Sequence, residues 1–354
     1  MPIRHFRDRR PRLLSPSRIL RPPLRQSGGG RERVELVEEA GAAMARNSRT
    51  FALATRLLDR ATRERICLLY LWCRHCDDLA DEESDPAGAV QWLEAIRVLT
   101  RRALEGQPTA EIAFDAFGQV AKEAGLTGGM AEDVIGGFAL DVAGWRPRTE
   151  ADMMRYCYQV AGAVAVMAAR VLGAPEDDHE ALDRACDFGL FCELVNFARN
   201  AWADGAEDRN YLPLEWLAEA DIPPGEHMKP VYREQLVELV ARLLDLAETH
   251  EAAARWGAAR LPFRQRWAAL TTANIYAAVA REVRERGAGA WDHRVRKPAP
   301  ARLRAMVRAF REALRRPEEP AEWPRWTRGE LLIAVRMAGP IPSNPMTPLP
   351  DEGM

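Results

Sequence analysis

The sequence predicts an all-α protein: one helical domain at residues 34–326, a basic tail at 1–33 and a Pro-rich tail at 327–354. Three observations carry this expectation. From Val34 to about Leu314, apolar residues recur at three- and four-residue steps, interrupted only by short Gly, Pro or Asp punctuation. No segment shows the period-two alternation of a strand. The apolar fraction of 47% in 354 residues is ample for one large core.

Residues 1–33 hold ten Arg against Asp8 and Glu32, with five Pro and a Gly-Gly-Gly run, a composition expected to stay disordered. The chain as a whole carries −2, so this +8 segment leaves −10 on the rest. An acidic body argues against nucleic acid as a partner and suits a protein that gathers divalent cations. The next helix starts at Thr62 and runs through Ile66, Leu69, Tyr70 and Cys73, one apolar stripe. The same step then lands on Asp77 and Asp81. An Asp-rich run is most often a solvated helix end. Carboxylates one turn apart on a core-facing stripe are also the hard oxygen ligands that Mg²⁺ takes together with water and phosphate.

Further helices are expected around Asp133 to Asp141, from Glu150, and continuously from Met153 to Leu172. The last is rich in small residues, Ala161 and Ala165 among them, which serve close packing or leave room for a long apolar ligand. A helix from about His179 to Asp204 places Cys186, Gly189, Glu193, Asn196, Asn200 and Asp204 on one face, beside an apolar stripe of Leu190, Leu194, Phe197 and Ala201. Two oxygen-rich faces in one helical domain support each other as the walls of a metal site. Amphipathic helices are read at 228–260 and 267–286, followed by a basic cluster that includes Arg294 and Arg302.

Six Cys lie scattered in helical stretches, which fits a reducing compartment, and the Cys73-x-x-Cys76 pair lacks a second pair to complete a zinc site, so both are read as packing residues. No run reaches the roughly twenty apolar residues of a spanning helix. The expected location is cytoplasmic, with peripheral membrane contact through the Arg-rich tail.

The order of motifs carries more than any one of them. Ser48-Arg49-Thr50-Phe51 precedes Tyr70-Leu71-Trp72-Cys73-Arg74-His75-Cys76-Asp77-Asp78-x-x-Asp81. Gly137-Phe138-Ala139-Leu140-Asp141, Arg155-Tyr156-Cys157-Tyr158-Gln159-Val160-Ala161-Gly162, Glu193-Leu194-Val195-Asn196-Phe197-Ala198-Arg199 and Arg209-x-Tyr211-Leu212-Pro213 follow. Over roughly residues 38–326 this pattern resembles the squalene and phytoene synthase family, most closely its bacterial phytoene synthases.

The resemblance implies an isoprenoid-synthase fold in which two acidic helices face each other and hold Mg²⁺, with Mn²⁺ as the alternative ion, against substrate diphosphates. It implies head-to-head condensation of two geranylgeranyl diphosphates through a cyclopropyl diphosphate to phytoene, a step in carotenoid biosynthesis that uses no NADPH. By motif position, Asp77, Asp81, Asn196, Asn200 and Asp204 would hold metal. Arg74, Arg199 and Tyr156 would act in catalysis. Ser48, Arg49, Phe51, Tyr70, Ala161, Ala165, Tyr276, Arg294 and Arg302 would bind substrate.

One departure stands out. The family's second motif reads Gln-Leu-x-Asn-Ile-x-Arg-Asp-x-x-(Asp or Glu)-Asp, whereas here Glu193 replaces Gln, Asn200 replaces Asp and Ala203 replaces an acid. Asn200 keeps a carbonyl oxygen but no charge. Two alternatives stay open beside phytoene synthesis: a squalene or dehydrosqualene synthase, and a non-catalytic binding or assembly member of the family.

Overall fold

Side-chain caps fix where the helices begin. Ser48 accepts a hydrogen bond from the Phe51 amide at 3.2 Å, and Thr149 forms a reciprocal capping box with Asp152. The helix expected from Thr62 begins two residues earlier. Asp59 caps it, accepting from the Thr62 amide at 3.0 Å and the Thr62 hydroxyl at 2.7 Å.

The computed structural model describes residues 26–82, 86–206, 209–293 and 295–339, and of residues 80–82, 86–87 and 206 the backbone alone. Among the described residues there is no strand. The helices are α1 (Arg33–Asn47), α2 (Arg49–Thr55), α3 (Arg60–Glu82), α4 (Pro86–Leu104), α5 (Ile112–Ala124), α6 (Gly128–Val142) and α7 (Glu150–Cys157). A π-helical turn (Tyr158–Gly162) follows, then α8 (Ala163–Val171), α9 (His179–Ala206), α10 (Leu214–Glu219) and α11 (Arg233–Gly257). The remainder are α12 (Phe263–Arg286), α13 (Ala299–Ala313) and α14 (Arg328–Ala338). None is long and apolar enough to cross a membrane.

α3 packs against α1 and α5 on one side of the molecule, while α9 packs against α11, α12 and α8 on the other. α8 touches both α3 and α9 and so joins the halves. Trp72 anchors the first half: it is fully buried, stacks on Phe117 with ring centres 4.3 Å apart, and donates its indole N–H to Thr100 at 3.2 Å. In the second half α9 is seated by Leu190, Leu194, Val195 and Ala198, all fully buried. A buried pair, His250 Nδ1 to Asp187 Oδ1 at 2.8 Å, ties α11 to α9. At Gly189 a Cβ would stand 2.4 Å from the Ala161 carbonyl oxygen, so only glycine lets α9 approach the π turn this closely.

Two expected boundaries move outward. The chain already joins the domain at Gln26, whose amide bonds the Gly106 carbonyl at 2.8 Å. The Gly-Gly-Gly run is a built turn with positive φ at Gly28, Gly29 and Gly30, and a Cβ at Gly29 would lie 2.3 Å from Asp115. Residues 1–25 lie outside the described residues. At the other end, Leu331 to Val335 sits within α14, which packs on α7 through buried Leu331. Trp326 donates to Glu150 at 2.9 Å and Arg328 to Asp183 at 2.6 Å. The expected boundary at 326 therefore falls one helix short. The continuous helix expected from Met153 to Leu172 is in turn broken into α7, the π turn and α8.

The N-terminal junction is electrostatic. Burial alone would raise Glu123, but hydrogen bonds from Arg33, Gln119 and Arg65 outweigh it and hold its carboxyl down to about 2. A depressed carboxylate stabilises the fold above its unfolded value of 4.5 and loses that contribution as the pH falls towards 2. Glu123→Gln should therefore cost about 1–3 kcal/mol at pH 7. In urea melts from pH 7 to pH 3, the gap between wild type and variant should narrow as the pH falls, and a constant gap would contradict this origin.

Candidate active site

An apolar cavity of about 360 Å³ runs between α2, α3, the π turn and α8, α9, the end of α11 and α12. That volume lies in the range of small-ligand sites. Phe51, Ile66, Ala161, Ala165, Phe188 and Ala268 are among its walls. The wall is wide because the small residues of the π turn and α8 face it, and π turns recur at functional positions. Ala161 and Ala165 lie in this wall, and the Ala161 backbone also packs closely on Gly189.

Polar groups gather at one end. Glu193, Asn196 and Tyr276 line the cavity there. Asn196 donates to Glu193 Oε2 at 3.0 Å and accepts from Arg199 Nη2 at 2.9 Å, while Arg199 Nε donates to Asn200 Oδ1 at 3.1 Å. Tyr276 hydrogen-bonds Asn196 and has its phenol raised, chiefly by burial. Glu193 is also raised: burial is the largest cause, and the Asp77 charge adds to it against Asn196 and Arg199. The influence of Asp77 on Glu193 places these two carboxyls, one from α3 and one from α9, within electrostatic reach of each other.

On the α3 side Asp77 accepts from Arg74 Nη1 at 2.8 Å, and Arg74 also bonds Asp78. Both carboxylates are about half exposed. Asp77, expected on a core-facing stripe, is thus partly open to solvent and already paired with a cation, Arg74. Tyr70 lies next to this cluster, its phenol raised by burial first and then modulated by Arg74, Asp78 and Asp77, with its ring 6.4 Å from Phe51.

Other expected residues are placed differently. Tyr156 is not among the residues lining the cavity. It is buried, its hydroxyl donates to Asp141 at 2.7 Å, and its ring stacks with Trp145, Phe197 and Tyr211. Asn200 and Asp204 follow Asn196 at steps of about 6 Å along α9 and also lie outside the lining. Asp204 borders a separate cavity of about 20 Å³ with Arg209 and Tyr211. Ser48 is engaged as the α2 cap, Arg49 is exposed beside it, and Arg302 lies on α13 away from the lining. Arg294 and the side chain of Asp81 lie outside the described residues.

The far end of the cavity was not legible in sequence. Ala254, Gly257, Ala258 and Leu261 close it together with Arg184, whose guanidinium lies 4.7 Å from the Trp323 ring centre and 3.2 Å from Asp187. All six Cys are free thiols, burial pushes Cys73 up to about 12, and Cys192 lines the cavity.

The donor set fits a hard divalent cation. Carboxyls that oppose each other across a cleft are relieved by positive charge, and amide oxygens complete such shells. Among the described residues no three His, Cys, Asp or Glu side chains converge on one point. An ion held here would therefore take part of its shell from Asn oxygens, water or a ligand phosphate.

Comparison with known proteins agrees with this architecture. The sequence model of the squalene/phytoene synthase family matches residues 44–304. The chain is 42% identical over 267 residues to a phytoene synthase of Pseudescherichia vulneris, covering 73% of this chain and 86% of that protein. It is 36% identical over 287 residues to a 15-cis-phytoene synthase of Pantoea ananas, covering 79% and 92%. A dehydrosqualene synthase crystallised with a ligand shares the fold with a TM-score of 0.71 at 22% identity, over 78% of this chain and 96% of that one. A squalene synthase from Alicyclobacillus acidocaldarius does so with 0.66 at 20% identity, over 74% and 98%. With its ordered motifs, its two facing polar walls and a family match that spans most of its length, this chain belongs to the squalene/phytoene synthase family.

Proposed function

We propose that this protein is a Mg²⁺-dependent phytoene synthase that joins two geranylgeranyl diphosphates head to head through a cyclopropyl diphosphate, without NADPH. The observation that supports the reading is an apolar cavity of a size for prenyl chains, lined at its polar end by Glu193, Asn196 and Tyr276, with the charge of Asp77 on α3 within electrostatic reach of Glu193. The 42% identity to a protein described as a phytoene synthase supports it.

Asp77 and Asp81 from one wall, and Asn196 with Asn200 and Asp204 from the other, would hold the ions. Bound Mg²⁺ supplies neutralisation of the charge that develops on a departing diphosphate. Arg74, which bonds Asp77, and Arg199, which bonds Asn196, would donate to phosphate oxygens, with Arg49 as an outer donor. Phe51 and Phe188 line the cavity and offer ring faces to an allylic cation, and Tyr276 does the same at the polar end. The apolar walls exclude water that would quench that cation. The hydrocarbon product leaves into lipid, so the protein works in the cytoplasm as a peripheral membrane protein.

Purified protein incubated with geranylgeranyl diphosphate and Mg²⁺ should yield a lipid extract with the mass of phytoene. Asp77→Asn should lower turnover by about 10²–10³-fold with its helical content unchanged. Near wild-type turnover of the variant at limiting Mg²⁺ would remove Asp77 from the metal wall, and a product formed only from farnesyl diphosphate would assign the shorter chain.

The altered second motif gives a separate test. Asn200 is held by Arg199 and lies off the cavity, whereas Glu193 lines it and feels Asp77. We infer that Glu193 supplies the carboxylate the motif has lost. Glu193→Gln should raise the Mg²⁺ concentration for half-maximal activity roughly tenfold, while Asn200→Asp leaves it within about twofold. A metal titration showing the reverse order would return the role to position 200.

A further inference from the structure

α13 is held to the body by one face only. Ala309 and Ala313 are buried against Ala258 and Leu270. Trp267 donates to the Met306 carbonyl at 2.9 Å, and Arg266 donates to the Ala313 carbonyl at 3.1 Å. Glu312 accepts from Asn274 at 2.9 Å and pairs with Arg255. These contacts leave the opposite face turned outward.

That outward face is apolar. Leu303, Val307, Phe310 and Leu314 follow at steps of four, three and four, a single stripe along the helix, and they are 54%, 44%, 39% and 66% exposed. Phe263 extends the stripe sideways, 40% exposed with its ring 5.6 Å from that of Phe310. Contiguous exposed apolar surface of this kind marks an interaction site.

A second stripe runs parallel to it, displaced by one residue, which is about 100° around the helix. Arg304, Arg308, Arg311 and Arg315 are all exposed, and none forms an ion pair among the described residues. A row of apolar side chains edged by unpaired Arg is the pattern of a helix that lies in a lipid interface, with its apolar groups in the acyl boundary and its guanidinium groups at anionic headgroups. The acidic body makes this local excess of positive charge a departure from the rest of the molecule.

We propose that the outward face of α13 docks the protein onto an anionic phospholipid bilayer. The inference deepens the reading of a peripheral membrane enzyme and rests on it for its purpose, because α13 covers the outer side of the wall that closes the far end of the cavity. Arg266 bonds both the Ala258 and the Ala313 carbonyls, and Ala258, Leu261 and Ala268 line the cavity from within. Docked this way, the apolar cavity lies one helix layer from lipid. The N-terminal tail lies outside the described residues, and deletion separates its contribution from that of α13.

The test is sedimentation with vesicles of phosphatidylglycerol and phosphatidylcholine, and with phosphatidylcholine alone, using the full chain. Leu303→Ser/Leu314→Ser should reduce partition onto the mixed vesicles about tenfold or more. Arg304→Gln/Arg308→Gln/Arg311→Gln/Arg315→Gln should erase the preference for anionic lipid and its sensitivity to salt. Deletion of residues 1–25 should leave most of the binding in place. Turnover of geranylgeranyl diphosphate in detergent should be the same for wild type and both α13 variants, so loss of activity in all of them would fault the enzymatic reading while the vesicle result still judges the docking face. Wild-type binding by the Leu variant would overturn the proposal. So would sedimentation of the wild type as a dimer that the Leu variant dissolves, since the face would then belong to a second copy.

Discussion

The charge balance at the cavity mouth is the constraint on which the other features depend. The Asp77 charge reaches Glu193, which lines an apolar space where like charges repel more strongly than in water. The resting protein manages this locally. Arg74 bonds Asp77 and Asp78, and Arg199 bonds Asn196, which in turn donates to Glu193. Each wall thus carries its own cation, and the same cations become donors when an anion enters. Burial raises Glu193, which disfavours its charged form beside Asp77. A divalent ion with a diphosphate replaces these makeshift partners by stronger ones.

The apolar part of the site depends on backbone geometry. The π turn at Tyr158–Gly162 and the bare backbone of Gly189 bring α9 against the turn, which leaves Val160, Ala161 and Ala165 facing the cavity instead of a bulkier wall. Trp72 and the Tyr156 stack carry the load behind it. The Tyr156 phenol is raised by burial and by Asp141, so it stays protonated as a donor. Its contribution is to hold α7 to α6 and to Tyr211.

Much of this was legible in sequence because helical periodicity and side-chain chemistry are local. The three-and-four step that carried Cys73 onto Asp77, and Gly189 onto Glu193 and Asn196, is a property of the helix itself. What was hidden is what folding adds. A π turn has no composition of its own, so Met153 to Leu172 read as one helix. Gly28 to Gly30 read as part of a disordered tail because glycine marks a loose coil and a positive-φ turn alike. The Arg184 closure needs α9, α11 and Trp323 brought together from distant parts of the chain. The stripe of α13 was present in the spacing of Leu303, Val307, Phe310 and Leu314, but whether such a stripe faces core or solvent is decided by packing.

The central claim is that the two walls form one anion-and-cation site, and ligand-induced stabilisation tests it without any chemistry taking place. The melting temperature of the purified protein is measured with Mg²⁺ alone, with inorganic diphosphate alone and with both. The account predicts a rise with both together that exceeds the sum of the separate effects and is lost in Asp77→Asn. An equal rise in wild type and Asp77→Asn, or none in the wild type, would contradict it.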